Sequence, residues 1–316
     1  MNKPSITIAI CTWNRSELLR GCLEAMLGLK VEAEVVWKIL IVNNNSTDET
    51  ESVVAGFVDR LPLRGVVESK QGLSNARNRA VDECDTDYIL WTDDDVRVPE
   101  NWVQNYVNAI HEYGRPAVLG GDITPDFGAR PPAWLSQNWR LVANAYAVRE
   151  APGHGVAIES GHFPFGANYA IRSDMQHRYR YDPDLGRKGG AMLSGEEESV
   201  IAAILAEPGT TGVWLGNAEV IHKIEPFRQR LSYLRAYFAG HGEVDYRLRS
   251  RRGSDETETP HETLEEPGMP LWIFRALASQ YRSYLITRFL KRDASWLRAY
   301  ARYAFTLGEL RARRNE

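Results

Sequence analysis

The first ninety-odd residues repeat one pattern: a short β-branched apolar run, a polar turn, then a stretch with apolar residues every three or four positions. Runs over 6–10, 37–42 and 88–92, with a weaker one over 65–67, predict strands, and the stretches between them predict helices. Leu18, Leu19, Cys22, Leu23 and Met26 make the apolar face of the first helix. Asn14 with Glu17, and Ser46 with Glu49, have the spacing of capping boxes and predict where the first two helices start. Alternation of this kind predicts an α/β fold with a mostly parallel, helix-covered sheet, which binds ligands at the carboxyl ends of its strands. Each such end is polar here: Thr12 and Asn14, then Asn43 to Asp48, then Asp93 to Asp95.

A further helix is expected over 101–113 and a strand over 117–121, closing in a glycine pair. The alternation then stops. Residues 125–187 are rich in Pro, Gly, Trp and Tyr, with Pro131, Pro132, Trp134 and Trp139 close together, and read as loops whose aromatics either stack on sugar rings or form small apolar clusters. A helix is expected from Ser194 through Leu205, and short strands over 213–215 and 219–221 lead into His222. Past Phe227 the pattern is helical and crosses an acidic, Pro-containing stretch at about 254–268 that reads as a linker. Leu271, Phe274, Ala278, Tyr281 and Leu285 then recur at helical spacing, as do Trp296, Tyr300, Tyr303 and Leu307. Arg275, Arg282, Arg288, Lys291, Arg292, Arg298 and Arg302 add positive charge. Basic amphipathic helices of this kind either pack on the body of the protein or lie on a membrane surface. The division falls near residue 225, with an α/β domain over 1–225 and a helical region over 226–316.

Composition narrows this picture modestly. With 316 residues, 43% hydrophobic and 25% charged, the chain has room for a large α/β domain and an appendage, and its net charge of -4 gives no global argument for nucleic-acid binding. Cys11, Cys22 and Cys84 are odd in number and lack C-x-x-C spacing, so they read as core residues of a protein in a reducing, cytoplasmic compartment rather than as disulfides or zinc ligands. Lys3 leads directly into the first apolar run, which is not the pattern of a signal peptide. The most apolar long stretch, 271–290, is broken by Arg275, Arg282 and Arg288, so no membrane-spanning segment is expected.

The strongest chemical signal is Asp93, Asp94 and Asp95 at the end of a buried strand. Carboxylates placed there attract a hard divalent cation, and such cations keep one or two protein carboxylates while substrate phosphates complete the shell. A nucleoside diphosphate is the natural partner. The competing reading is a solvated acidic loop, or the cap of the helix that opens near Pro99, Glu100 and Asn101.

Several segments occur in one order: CTWNR at 11–15, VNNNSTDET at 42–50, GLSNARN at 72–78, WTDDDV at 91–96, FGANYAIRSD at 165–174, YDPDLGRKGG at 181–190, SGEEES at 194–199 and VIH at 220–222. Together they resemble the family 2 glycosyltransferases over about residues 5 to 245. The resemblance implies a GT-A fold, a Rossmann-like sandwich, with 1–225 as the catalytic domain. It implies inverting transfer of a sugar from a nucleoside-diphosphate donor, with UDP-sugar favoured, to a glycan or lipid-linked acceptor in surface or exopolysaccharide synthesis. Mn²⁺ or Mg²⁺ would assist. By resemblance, Asp93, Asp95 and His222 hold the metal, and Thr12, Asn14, Asn43, Asp48 and Arg77 line the base and ribose pocket. Asp93 and Asp94 lie on the nucleotide side, and Arg228 holds phosphate oxygens. Gly166, Ala167 and Asn168 lie beside donor and acceptor, and Glu197 is the general base, with Glu196 as the alternative.

Two positions depart from the family pattern. Asn43 stands where an Asp often accepts the uracil imide proton; its amide oxygen can accept that bond, but its nitrogen also donates. Glu197 is one methylene longer than the usual Asp, and its spacing from Ser194 is also that of a capping box. Nucleotidyl transfer would require a glycine-rich basic loop after the first strand, which CTWNRSE is not. A glycan-binding protein without activity would show erosion of the acidic positions, yet Asp93, Asp95, Glu197 and His222 are all present.

Overall fold

A computed structural model describes residues 3–187, 195–255, 271–291 and 295–314. Its first half is β1 (Ile6–Thr12), α1 (Ser16–Met26), β2 (Trp37–Asn43), α2 (Thr50–Ala55), β3 (Leu63–Val67), α3 (Leu73–Asp82), β4 (Tyr88–Asp93), β5 (Val96–Arg97), α4 (Trp102–Glu112) and β6 (Val118–Asp126). There follow α5 (Ala133–Gln137), α6 (Trp139–Val142), a 3₁₀ turn (Ala143–Tyr146), β7 (Tyr169–Arg172), α7 (Ser173–Arg178), α8 (Glu196–Leu205) and β8 (Gly212–Lys223). The chain ends in α9 (Leu231–Asp255), α10 (Leu271–Leu285) with a π-helical continuation (Ile286–Lys291), and α11 (Trp296–Arg314).

The strands form one sheet of order β3-β2-β1-β4-β7-β6-β8-β5. β1 to β4 pair in parallel, as do β6 and β8, while β7 runs antiparallel between β4 and β6. β5 follows β4 closely in sequence, yet β7, β6 and β8 lie between them in the sheet, so the sheet must curl. That curl places the site. Pairing of Val96 with His222 carries the end of β8 to the acidic turn, and the Lys223 amide donates to the Asp95 carbonyl at 2.9 Å.

Strand alternation fixes the two faces. Ile6, Ile8 and Ile10 point into a core shared with Leu19, Leu23, Val53, Phe57, Val103 and Tyr106 of the helices on one side. Ala9, Leu40, Val42, Ile89 and Trp91 point into the other, with Ala76, Ala80, Ile201 and Ile204.

Several expectations are corrected. Neither capping box forms: Arg15 and Glu49 precede α1 and α2 without a side-chain cap, and Asp48 serves both helix starts. Its two oxygens take the amides of Ser16 at 2.9 Å and Thr50 at 3.1 Å. The region expected as loops holds β7, a four-residue strand too short to show periodicity. The two short runs before His222 are one strand, β8, across an irregular register beside Gly121 and Ile123. α9 continues to Asp255, so the expected linker is helical at its first two residues, and 256–268 lies outside the described residues. Ser194, and with it the third capping box, also lies outside them.

The described chain divides into two compact units, one made of 3–129, 146–187 and 195–224, the other of 130–145, 225–255, 271–291 and 295–314. In the second, α9 and α11 cross at Gly242 and Gly308, where a Cβ on either would run into the Phe305 or Ala239 carbonyl. The two predicted apolar stripes differ in fate. Tyr300 and its neighbours Leu297 and Ala304 are buried, while Leu271, Phe274, Tyr281 and Leu285 stay exposed.

Candidate active site

The ends of β1 and β2 are laced together. Asn14 adopts a left-handed backbone at φ 52°, its Oδ1 accepts the Thr47 amide at 2.7 Å, and its own amide donates to Ser46 Oγ at 3.0 Å. Asn43 Oδ1 accepts the Ser46 amide at 2.9 Å. Burial works to raise the Asp48 carboxyl, but hydrogen bonds from Thr50 and Ser16 outweigh it and hold the group below its usual pKa. Asn44 is buried and ties this turn to the entry of α3, donating to the Glu68 and Lys70 carbonyls and accepting the Gly72 amide.

Beside this turn lies the acidic end of β4. Thr12 Oγ1 donates to Asp94 Oδ2 at 2.7 Å, and Arg15 spans the neighbouring carboxylates, with Nη1 on Asp94 Oδ1 at 2.5 Å and Nη2 on Asp95 Oδ2 at 2.6 Å. Burial, with Asp95 and Asp93 close by, pushes Asp94 up to about 7 against the pull of Arg15 and Thr12. Asp93 is raised by burial and by Asp95, opposed by Arg77, His222 and Arg187. His222 is buried, and its Nδ1 meets the Tyr146 carbonyl at 2.7 Å, which assigns a proton to Nδ1 and aims Nε2 at the acidic turn. Nε2 then faces Asp95 Oδ1 at 3.2 Å. Two electron-rich atoms at that distance call for a proton or a cation near both.

The donor set fits a divalent metal. Imidazole and carboxylate are ligands Mn²⁺ accepts, and Mg²⁺ and Mn²⁺ leave most of their shell to phosphate and water. Asp93, expected at the metal with Asp95 and His222, lies within the electrostatic reach of both, and among the described residues no group of three His, Cys, Asp or Glu converges to hold a metal.

A second centre forms where α8 starts, after Gly195 at φ 97°. Arg77, expected in the nucleotide pocket, is instead buried with its fork spent on two glutamates: Nη1 on Glu196 Oε1 at 3.0 Å and Nη2 on Glu197 Oε1 at 2.6 Å. The guanidinium lies 5.3 Å from the centre of the Tyr181 ring. Tyr181 is fixed in turn by hydrogen bonds to Tyr169 at 2.5 Å and Gln176 at 3.1 Å.

One arginine holding two carboxylates pushes them apart. Burial and the charge of Glu197 push Glu196 up to about 8, and its Oε2 has no hydrogen-bond partner, as suits a neutral carboxyl. Burial would raise Glu197 too, but the charge and hydrogen bond of Arg77 hold it below the usual range. The two are thus driven in opposite directions, Glu197 toward its ionised form and Glu196 toward its protonated one. Glu197 is also the more open of the two, with its side chain 20% exposed against 3%.

Gly166 lies against this pair, since a Cβ there would strike Arg77 Nη2 and Glu197 Oε1. The Ala167 carbonyl accepts Thr92 Oγ1 at 2.9 Å. Asn168 is corrected: it is fully buried and makes four bonds, from Trp102 and Tyr106 to its oxygen and from its nitrogen to the Asp122 and Ala218 carbonyls. It is a core hub with nothing left for an acceptor. Arg228 belongs to the other unit, where it is buried beside Tyr233, with Nε 3.2 Å from the hydroxyl.

Sequence reasoning missed Arg15, Tyr181 and Arg187. Arg15 follows Thr12 inside CTWNR, but its partners lie 79 and 80 positions away, a separation that no spacing rule brings together. Arg187 is exposed, acts on Asp93, Glu196 and Glu197, and is held by its carbonyl, which accepts the Leu73 amide at 3.0 Å.

Comparison with known proteins adds to this geometry. A family model described as glycosyl transferase family 2 matches residues 7–172. The chain is 22% identical over 258 residues to a glucosyl-dolichyl phosphate glucuronosyltransferase of Haloferax volcanii, covering 79% of this chain and 80% of that protein. It is 25% identical over 190 residues to the succinoglycan biosynthesis protein ExoM of Rhizobium meliloti, covering 58% of each. Among solved structures, residues 1–349 of S. aureus TarS in complex with UDP-GlcNAc match at TM-score 0.54 and 13% identity, covering 99% of this chain and 92% of that one. A mannosyltransferase from Pyrobaculum calidifontis, in complex with GDP-Man and Mn²⁺, matches at TM-score 0.57 and 15% identity, covering 98% and 87%. At these identities the structural likeness speaks to the fold.

Proposed function

Because the chain belongs to glycosyl transferase family 2 and has the curled α/β sheet of the GT-A type, we propose that it moves a sugar from a nucleoside diphosphate to an acceptor hydroxyl with inversion at the anomeric carbon. The observation that carries this reading is Arg77 bonded to both Glu196 and Glu197 against the backbone of Gly166, an arrangement that favours the ionised form of Glu197 over that of Glu196. An inverting transfer needs one base on the acceptor face, and this pair supplies one. Glu197 takes the acceptor proton while Glu196, already protonated, cannot. Gly166 and Ala167 line the acceptor side.

On the donor side, the open edge of Asn14, Asn43 and Asp48 receives the nucleoside, with uridine preferred. Thr12, Asp94 and Arg15 hold Asp95 toward His222. Asp93, beside them, faces the ribose and diphosphate. A divalent cation at Asp95 and His222 supplies neutralisation of the charge that gathers on the departing diphosphate. A glycan or lipid-linked acceptor in surface polysaccharide synthesis is supported by the named activities of the two curated relatives. No helix among the described residues is long and apolar enough to cross a membrane.

The test is release of nucleoside diphosphate from UDP-, GDP- and dTDP-sugars with Mn²⁺, Mg²⁺ or EDTA. Turnover of a UDP-sugar that EDTA abolishes and Asp95→Ala removes supports the reading. Equal turnover in EDTA, or neither turnover nor calorimetric binding of any donor, overturns it.

A further inference from the structure

The segment from Leu271 to Lys291 carries Arg275, Arg282, Arg288 and Lys291 and no Asp or Glu. Along α10, Leu271, Phe274, Ala278, Tyr281 and Leu285 fall on one face by their spacing of three and four. That face is open. Leu271 is 74% exposed, Phe274 48% and Tyr281 46%, and Leu290, in the π-helical continuation, is 79% exposed. Packing is done mainly by the other side: Ile273 is buried, and the Tyr284 ring sits 5.1 Å from that of Tyr300 on α11, while Tyr281, at the edge of the open face, meets the Tyr303 ring at 5.2 Å. Single exposed leucines are ordinary, but a row along one helix marks a contact surface.

The charge pattern identifies what it contacts. Arg275 and Arg282 are exposed and sit one heptad apart, so both flank the apolar face on the same side. In a symmetric pairing of two copies through this face, cations would meet cations with no acid on the segment to offset them. An anionic lipid surface supplies the opposite charge and an apolar layer for the row of side chains. With no helix among the described residues long and apolar enough to span, the proposed contact is in the plane of the surface.

We propose that the Leu271–Lys291 segment docks its open face on an anionic phospholipid bilayer. The inference rests on the second unit alone, and its test reads no catalysis. The full chain is sedimented with phosphatidylcholine vesicles, with and without phosphatidylglycerol. Alongside it run Leu271→Ser/Phe274→Ser/Leu290→Ser and Arg275→Glu/Arg282→Glu, with thermal melting and gel filtration of each. The expected result is binding only to the phosphatidylglycerol vesicles, weakened at least about tenfold in both variants at unchanged melting temperature. Absence of wild-type binding, or equal binding by the triple serine variant, overturns the proposal. So does a vesicle-independent dimer that the serine variant converts to monomer, which would assign the face to a second copy. If a variant melts early, quenching of tryptophan emission by brominated lipids in the wild type decides: quenching supports docking, and its absence overturns it.

Discussion

Two arginines in this protein do one job in two settings. Arg15 bridges Asp94 and Asp95, and Arg77 bridges Glu196 and Glu197, each pair being neighbours in sequence. In both, burial raises one carboxyl toward neutrality, Asp94 to about 7 and Glu196 to about 8. The settings differ in what surrounds the raised group. Both oxygens of Asp94 are hydrogen-bonded, by Thr12 and Arg15, so it acts as a fixed anchor. Glu196 keeps an oxygen without a partner, and in the proposed reaction it leaves Glu197 as the ionised base. On the proposed reading, the same device builds a rigid donor side and a proton-accepting acceptor side.

The comparison can be broken most severely at the arginines. Arg77→Met leaves two buried carboxyls without their cation and is expected to cost about 3–5 kcal/mol of stability, read by urea denaturation. Arg15→Met should cost less, because Arg15 is itself 28% exposed against 3% for Arg77, so its ion pairs are the more screened by water. Equal losses would remove the distinction between the centres. Gly166→Ala should be milder, about 1–3 kcal/mol, because its methyl group forces Arg77 and Glu197 aside. It should lower kcat more than it raises KM for donor, and the reverse pattern would place Gly166 on the nucleotide side instead.

The smallest effect is in the pH dependence of stability. Glu196 has a raised pKa, so the folded state holds a proton that the unfolded chain has lost between about pH 4.5 and about pH 8. Its contribution is therefore fully present below that window and lost as pH rises through it. Glu197 is depressed and works the other way, stabilising above its unfolded pKa and losing that contribution as pH falls through the folded one. Glu196→Gln should flatten the melting temperature across the upper window, while Asp94→Asn should flatten a range that ends nearer pH 7. An unchanged slope in Glu196→Gln would mean that its carboxyl is ionised in the native protein.

The donor side was readable because it is local. Three consecutive aspartates at the end of an apolar run, and polar residues at the ends of β1 and β2, follow from strand periodicity alone. The same periodicity could not say that Asp48 caps two helices, or that Asn168 faces the core with every bond made. The acceptor side depends on a pairing between residues 119 and 120 positions apart, which no spacing rule anticipates. Helical periodicity likewise gave α10 and α11 the same stripe, and tertiary contacts then buried or half-buried the second and left the first open.

The most direct test of the central claim, that Arg77 makes Glu197 the base, is the pH profile of kcat/KM for donor and acceptor in the wild type and in Glu196→Gln. The account predicts that activity persists from about pH 8 down to below 4.5, the ordinary value for a glutamate, that Glu196→Gln keeps this profile, and that Glu197→Gln loses about 10²–10⁴ in rate. An acid limb near pH 8 that Glu196→Gln abolishes together with the activity would contradict it and make Glu196 the base.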